Sequence, residues 1–161
     1  MIPQTACLHA SCVALDGEAV LIRGASGSGK SALALRLIDA GGVLVADDRT
    51  IVTAGSGLDG RLRASAPAAI AGRLEVRGLG IVRLAHAPAP VGLIVDLAPA
   101  AAIDRMPAPD DLMHELCGTR LPRIMLDASL PGATARVRLA LGLAGEGFFT
   151  SGEALVSSPE G

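Results

Sequence analysis

The chain has 161 residues, enough for one domain, and half of them are hydrophobic, which supplies a full core. A net charge of −2 and the near absence of aromatic side chains, with only Phe148 and Phe149 present, argue against a nucleic-acid scaffold, which needs a basic surface and rings for bases to stack on. The most apolar run, residues 91–103, is interrupted by Asp96 and Pro99 and is too short to span a bilayer, and residues 1–14 lack the basic start and long apolar run of a signal peptide.

Residues 7–15 read as a strand closed by an Asp16-Gly17 turn, and residues 18–23 (EAVLIR) as a second, buried strand. A Gly/Ser loop over 24–29 leads into a helix over 30–40. There Leu33, Ala34, Leu37 and Ile38 recur at helical spacing, and Gly41-Gly42 stops the element. Residues 43–46 form a short apolar strand ending in Asp47-Asp48, 50–54 another strand, and 55–60 a turn region. Residues 62–64 and 74–76 read as β segments flanking a Pro/Ala connection, and 91–97 (VGLIVDL) as a buried central strand. Residues 107–111 read as a linker into a short helix over 112–117, 123–126 as a strand and 134–143 as the closing helix. A Gly/Ser/Glu-rich tail, 146–161, is expected to be flexible behind a single domain over 1–145. The pattern predicts an α/β fold with a central mixed sheet flanked by helices. Cys7, Cys12 and Cys117 are odd in number and lack metal-ligand spacing, so they read as reduced cytoplasmic thiols serving as small core residues.

Thirteen of the fourteen basic residues are Arg, and the only lysine is Lys30. It lies in Gly24-Ala25-Ser26-Gly27-Ser28-Gly29-Lys30-Ser31, which fits G-x-x-x-x-G-K-[ST] between an apolar strand and a helix. Glycines there let backbone N–H groups turn inward around a phosphate, and the helix start adds positive charge. Lys30 is placed to reach the terminal phosphates and the Ser31 hydroxyl to bind Mg²⁺. The plain alternative is a chance Gly/Ser turn. Asp47 and Asp48 follow a strand, so their side chains project to different sides. One can face the reacting phosphate and the other the metal, the alternative being a solvated turn. The chain contains no Asn, so it lacks the guanine-reading N-K-x-D element of a GTPase switch. With so few rings, base recognition should be weak and nucleotide selectivity loose.

The run GASGSGKSALALRLIDAGGVLVADDR, residues 24–49, resembles the HPr kinase/phosphorylase family. Two further blocks agree: LEVRGLGIV over 74–82 is similar to the family's E-x-R-G-L-G-I signature, and Leu8-His9-Ala10-Ser11 falls where the family keeps a histidine. The resemblance covers residues 5–141. It implies a P-loop kinase-like, carboxykinase-like fold and a cytoplasmic, ATP- and Mg²⁺-dependent serine kinase. Such an enzyme passes the terminal phosphate to the phosphocarrier protein HPr and also catalyses phosphorolysis of the phosphoserine. By the same resemblance Asp47 is the general base, His9 assists it, and Lys30 and the loop 24–31 hold the nucleotide. Ser31, Asp48 and Glu75 serve the metal, and Arg77 and Gly78 to Gly80 form the signature loop. Family members often carry Asp where this chain has Ala25. The N-terminal domain of the long forms and the C-terminal Gly-Arg-Asn signature are not recognised, as in the short form of some proteobacteria. A homo-oligomer is an open expectation. The rival readings are a small-molecule P-loop kinase, a carboxykinase-like enzyme, or a non-catalytic nucleotide-binding regulator. His86 and His114 read as structural or solvent-facing, and Arg120 and Arg123 as solvated.

Overall fold

The computed structural model describes residues 4–55 and 59–151. In chain order the strands are β1 (Thr5–Leu8), β2 (Ala10–Leu15), β3 (Glu18–Arg23), β4 (Val43–Ala46), β5 (Thr50–Thr53), β6 (Arg63–Ser65), β7 (Arg73–Val76), β8 (Gly80–Arg83), β9 (Ala89–Leu97), β10 (Met113–Leu116) and β11 (Thr119–Leu126). The helices are α1 (Lys30–Asp39), α2 (Ala133–Gly145) and the single turn α3 (Phe148–Ser151). Nine strands form one mixed sheet in the order β1-β5-β6-β9-β3-β2-β4. Along one side of β9, β6 pairs with its start and β11 runs parallel to its second half. β10 pairs with β11, and β7 and β8 form a separate hairpin.

The fold is the predicted mixed α/β sheet, and both long helices cover the same face of it. Leu33, Ala34 and Leu37 of α1 and Ala133, Val137 and Ala140 of α2 pack on Val13, Val20, Ile22, Leu93 and Val95. Full burial of each leucine stabilises the fold by about 2–3 kcal/mol. Among the described residues the opposite face packs against strands and their connecting loops, around short side chains such as Ala10, Cys12, Ala14, Ala19, Ala64 and Ala89. Such small residues let a twisted sheet curl over itself with no helix between.

Several elements differ from the sequence expectations. The strand expected over 7–15 breaks at His9 into β1, paired with β5, and β2, paired with β3 and β4. The helix expected over 112–117 is β10. Cys117 (φ 49°) and Gly118 (φ 76°) make a two-residue left-handed turn that folds residues 113–116 back onto β11, and pairing outweighs local helical preference. A short 3₁₀ turn, Pro109–Leu112, precedes it. The strand β8 was not anticipated. The expected tail begins with packed structure: Phe149 is 7% exposed and lies edge-on to Phe148 at 5.4 Å. Its remainder, 152–161, and part of the expected turn, 56–58, lie outside the described residues. Of the cysteines only Cys12 is a core residue, its thiol pushed up by burial, whereas Cys7 is exposed and Cys117 half-buried. Among the described residues no helix is long and apolar enough to cross a membrane.

Candidate active site

β3, β9 and β11 are mutually parallel, and β4 points the same way because both it and β3 are antiparallel to β2. Their C-terminal ends therefore gather at one edge of the sheet, together with the start of β2. In open α/β sheets such an edge is where ligands bind.

The loop from Gly24 to Gly29 leaves β3 at this edge and feeds α1. Gly27 (φ 79°) and Gly29 (φ 99°) are left-handed, and a Cβ on Gly29 would also meet the Ala128 Cβ at 3.2 Å, so a side chain there is both strained and crowded. Gly29 is the N-cap of α1, and no side chain caps this end of the helix, so its first amides remain directed at the loop. Lys30 is only 8% exposed. Its Nζ donates to the Gly24 and Ala25 carbonyls at 2.8 and 3.0 Å, folded back into its own loop. The Ser28 Oγ is buried inside the loop with no hydrogen-bond partner among the described residues.

The two acidic residues part company through a bulge. Val13 pairs with Leu44 and Cys12 with Ala46, so Val45 is the extra residue of β4. Leu44 faces the helical core, while Val45 and Ala46 both belong to the strand-only core. The alternation slips by one, and Asp47 swings back to the helical face. There its Oδ1 accepts hydrogen bonds from Ser31 Oγ at 2.8 Å and Ser11 Oγ at 2.7 Å, and its Oδ2 accepts from the Glu75 amide at 3.2 Å. Asp47 is 7% exposed. Asp48 is exposed and left-handed (φ 65°), and its Oδ1 lies 2.8 Å from Nε2 of the equally exposed His9. His9 thus meets Asp48 and not Asp47, the partner expected for it. Glu75 enters the site through its backbone, and its carboxylate lies on the exposed side of the β7–β8 hairpin. Arg77, Gly78 and Gly80 are exposed at that hairpin's turn.

Ser11 was missed as a site residue. Its signal was a hydroxyl inside Ala10–Leu15, a strand whose other members are apolar and all buried. A second missed cluster lies on the other face of the same edge. Arg23 donates from Nε and Nη2 to the two oxygens of Asp96 at 2.7 and 2.8 Å, and Arg123 Nε donates to Oδ2 at 2.5 Å. Burial alone would push the Asp96 carboxyl up, but hydrogen bonds and charge from the two arginines hold it below its usual value. His114 Nε2 lies 3.2 Å from Arg23 Nη1, and burial, then the Arg23 charge, depress its pKa. Arg123, expected to be solvated, is instead an ion-pair partner; Arg120 is exposed as expected, and His86 is exposed.

Comparison with known proteins finds relatives for much of the chain. HPr kinase/phosphorylase of Clostridium tetani (strain Massachusetts / E88) is 45% identical over 82 residues, which are 51% of this chain and 26% of that protein. The enzyme of the same name from Clostridium novyi (strain NT) is 43% identical over 93 residues, 58% of this chain and 28% of that protein. The chain thus spans little more than a quarter of the curated relatives it matches. The structure of the HPr(Ser) kinase/phosphatase from Coxiella burnetii shares the fold, with a TM-score of 0.66 and 24% identity over 84% of this chain and 86% of that one. The family model described as HPr Serine kinase C-terminal domain matches residues 1–128. By that match over most of its length, the chain belongs to the HPr Serine kinase C-terminal domain family.

Proposed function

We propose that this chain is a cytoplasmic, ATP-dependent protein kinase that phosphorylates a serine of HPr and, run in reverse with inorganic phosphate as acceptor, removes that phosphate by phosphorolysis. The observation that carries the reading is the Ser31–Asp47 hydrogen bond, which joins the P-loop hydroxyl to a strand-end carboxylate beside the exposed Asp48–His9 pair. The names of the relatives supply the substrate.

The residues present fit Mg²⁺. Ser31, Asp47 and Asp48 offer only hard oxygen donors, and among the described residues no three His, Cys, Asp or Glu side chains converge as a complete metal cage. Mg²⁺ is commonly held in this way, by one or two protein oxygens with phosphate oxygens and waters completing its shell. When bound it would neutralise charge on the phosphates. Ser31 and Asp47 would hold it, whereas the Glu75 carboxylate, expected to serve the metal, lies on the exposed side of the hairpin. Lys30 would exchange its loop carbonyls for phosphate oxygens, and the α1 amides would share that charge.

The geometry favours exchanging the roles first expected for the two aspartates. Both oxygens of Asp47 are already occupied by donors, and the side chain is buried. A general base must reach an incoming hydroxyl. Asp48 is exposed and is backed by His9, so Asp48 accepts the serine proton as its oxygen attacks the terminal phosphorus. In phosphorolysis it returns the proton to the departing serine oxygen.

The test is incubation with Mg-ATP and HPr, read by mass spectrometry. Phosphoserine on HPr is expected. Asp48→Asn should lower kcat by about 10²–10⁴-fold with Mg-nucleotide binding intact. Asp47→Asn should weaken the Mg²⁺-dependent part of nucleotide binding. Absence of phosphoserine with the unaltered protein overturns the kinase reading. Tolerance of Asp48→Asn beside a dead Asp47→Asn that still binds Mg-nucleotide restores the original role assignment.

A further inference from the structure

We infer that Ser11 is a positioning residue that fixes the Asp48–His9 pair from the buried side of the sheet. Its catalytic consequence rests on the kinase reading above, but its geometry does not. Ser11 is 0% exposed. Its single hydroxyl is bonded in both senses: it donates to Asp47 Oδ1 at 2.7 Å and accepts from the Asp48 amide at 3.2 Å. Asp47 has two other donors, Ser31 Oγ and the Glu75 amide. The Asp48 amide has Ser11 as its only hydrogen-bond partner among the described residues.

That amide belongs to a residue in an uncommon backbone state. A non-glycine residue at φ 65° is held there only when its surroundings over-determine it. Three bonds do so here. Ser11 takes the Asp48 amide, the Arg49 amide donates to the Asp47 carbonyl at 2.7 Å, and Thr50 Oγ1 donates to the Ala10 carbonyl at 2.9 Å. His9 sits at the break between β1 and β2, two residues before Ser11 in β2. One segment therefore grips Asp48 twice, by its amide through Ser11 and by its carboxylate through His9. Without the hydroxyl the Asp48 amide loses its partner and one of the three restraints is gone, so the hold on its φ, and with it the aim of its carboxylate at the imidazole, should loosen.

The first readout uses the free protein, with no nucleotide, metal or HPr: the ring ¹H–¹⁵N correlations of His9. In Ser11→Ala they should move towards the positions they take in Asp48→Asn, and Ser11→Thr, which keeps the hydroxyl, should restore them. In turnover, Ser11→Ala should lower kcat about 10-fold or more while KM for Mg-ATP stays within about twofold. In an Asp48→Asn background the same substitution should change kcat less than about twofold, because its effect acts through Asp48. Unmoved His9 signals, or an equal kcat loss in both backgrounds, would overturn the inference. If Ser11→Ala does not fold, Ser11→Cys, which keeps the size with a weaker donor, is read in the same way. If the unaltered protein does not phosphorylate HPr, the kinase reading falls and the His9 signals alone decide whether Ser11 positions the pair.

Discussion

Two strand ends at one edge of the sheet carry carboxylates that are treated in opposite ways. At the end of β9, Asp96 is saturated by two guanidinium groups, which tie β3, β9 and β11 together at the root of the phosphate loop. Just beyond β4, Asp47 is held by two hydroxyls and an amide, none of them charged. The first carboxylate has its charge cancelled within the protein, so it acts as a clamp. The second is oriented as firmly but keeps its charge to offer a cation. The kind of partner, more than burial or location, separates a structural acid from one suited to chemistry.

The sharpest break between the two regions should come from Lys30→Ala. Among the described residues Lys30 bonds only to its own loop, so phosphate transfer should fall about 10³-fold or more in kcat/KM with little change in melting temperature. Asp96→Ala should do the reverse. It leaves two half-buried guanidinium groups unpaired and should cost about 2 kcal/mol, a fall of roughly 4–8 °C in Tm by calorimetry, with kcat/KM below the transition nearly unchanged. If Asp96→Ala abolishes transfer in a fully folded protein, the division of labour is wrong. Acid titration sharpens the contrast further. Because Asp96 is held below its usual value in the folded state, its contribution is complete above about pH 4 and is lost as pH falls through the folded pKa. The Asp96→Asn protein should therefore show a flatter acid-unfolding limb than the unaltered chain. The smallest effect belongs to His114. Its folded pKa is depressed, so its contribution is full above about pH 6.5 and declines as pH falls below it. His114→Gln should remove a shallow drop in Tm between roughly pH 6.5 and 5, measured by thermal scans across that range.

The legible parts of the molecule were those specified within a few residues. The phosphate loop, β3, α1 and β4 follow from a glycine pattern, an apolar run and a 3.6-residue period, each readable in isolation. What escaped depended on pairing between distant segments. Residues 113–116 became a strand because Cys117-Gly118 turned them onto β11, a neighbour that local propensity does not know about. Arg23 and Asp96 are 73 positions apart, and nothing in either segment announces the other. His9 was legible as a site residue only through family resemblance, and its partner was misjudged by one position. Adjacent aspartates at a strand end alternate sides, but which one faces the helix depends on the register between β2 and β4.

That register has a consequence for how this stretch can vary in length. Val45 works as a phase shifter: the one surplus residue in β4 inverts which side chain looks toward the loop. Strict alternation along β4 with Val45 kept would turn Asp47 toward the strand-lined interior and Asp48 toward the helices, leaving His9 without its acid, whereas deleting Val45 removes the bulge and leaves Asp47 on its present face. Spacing between Lys30 and the acidic pair can therefore shorten by that one residue, whereas a further residue added to β4 beyond the bulge would swap the two carboxylates' places.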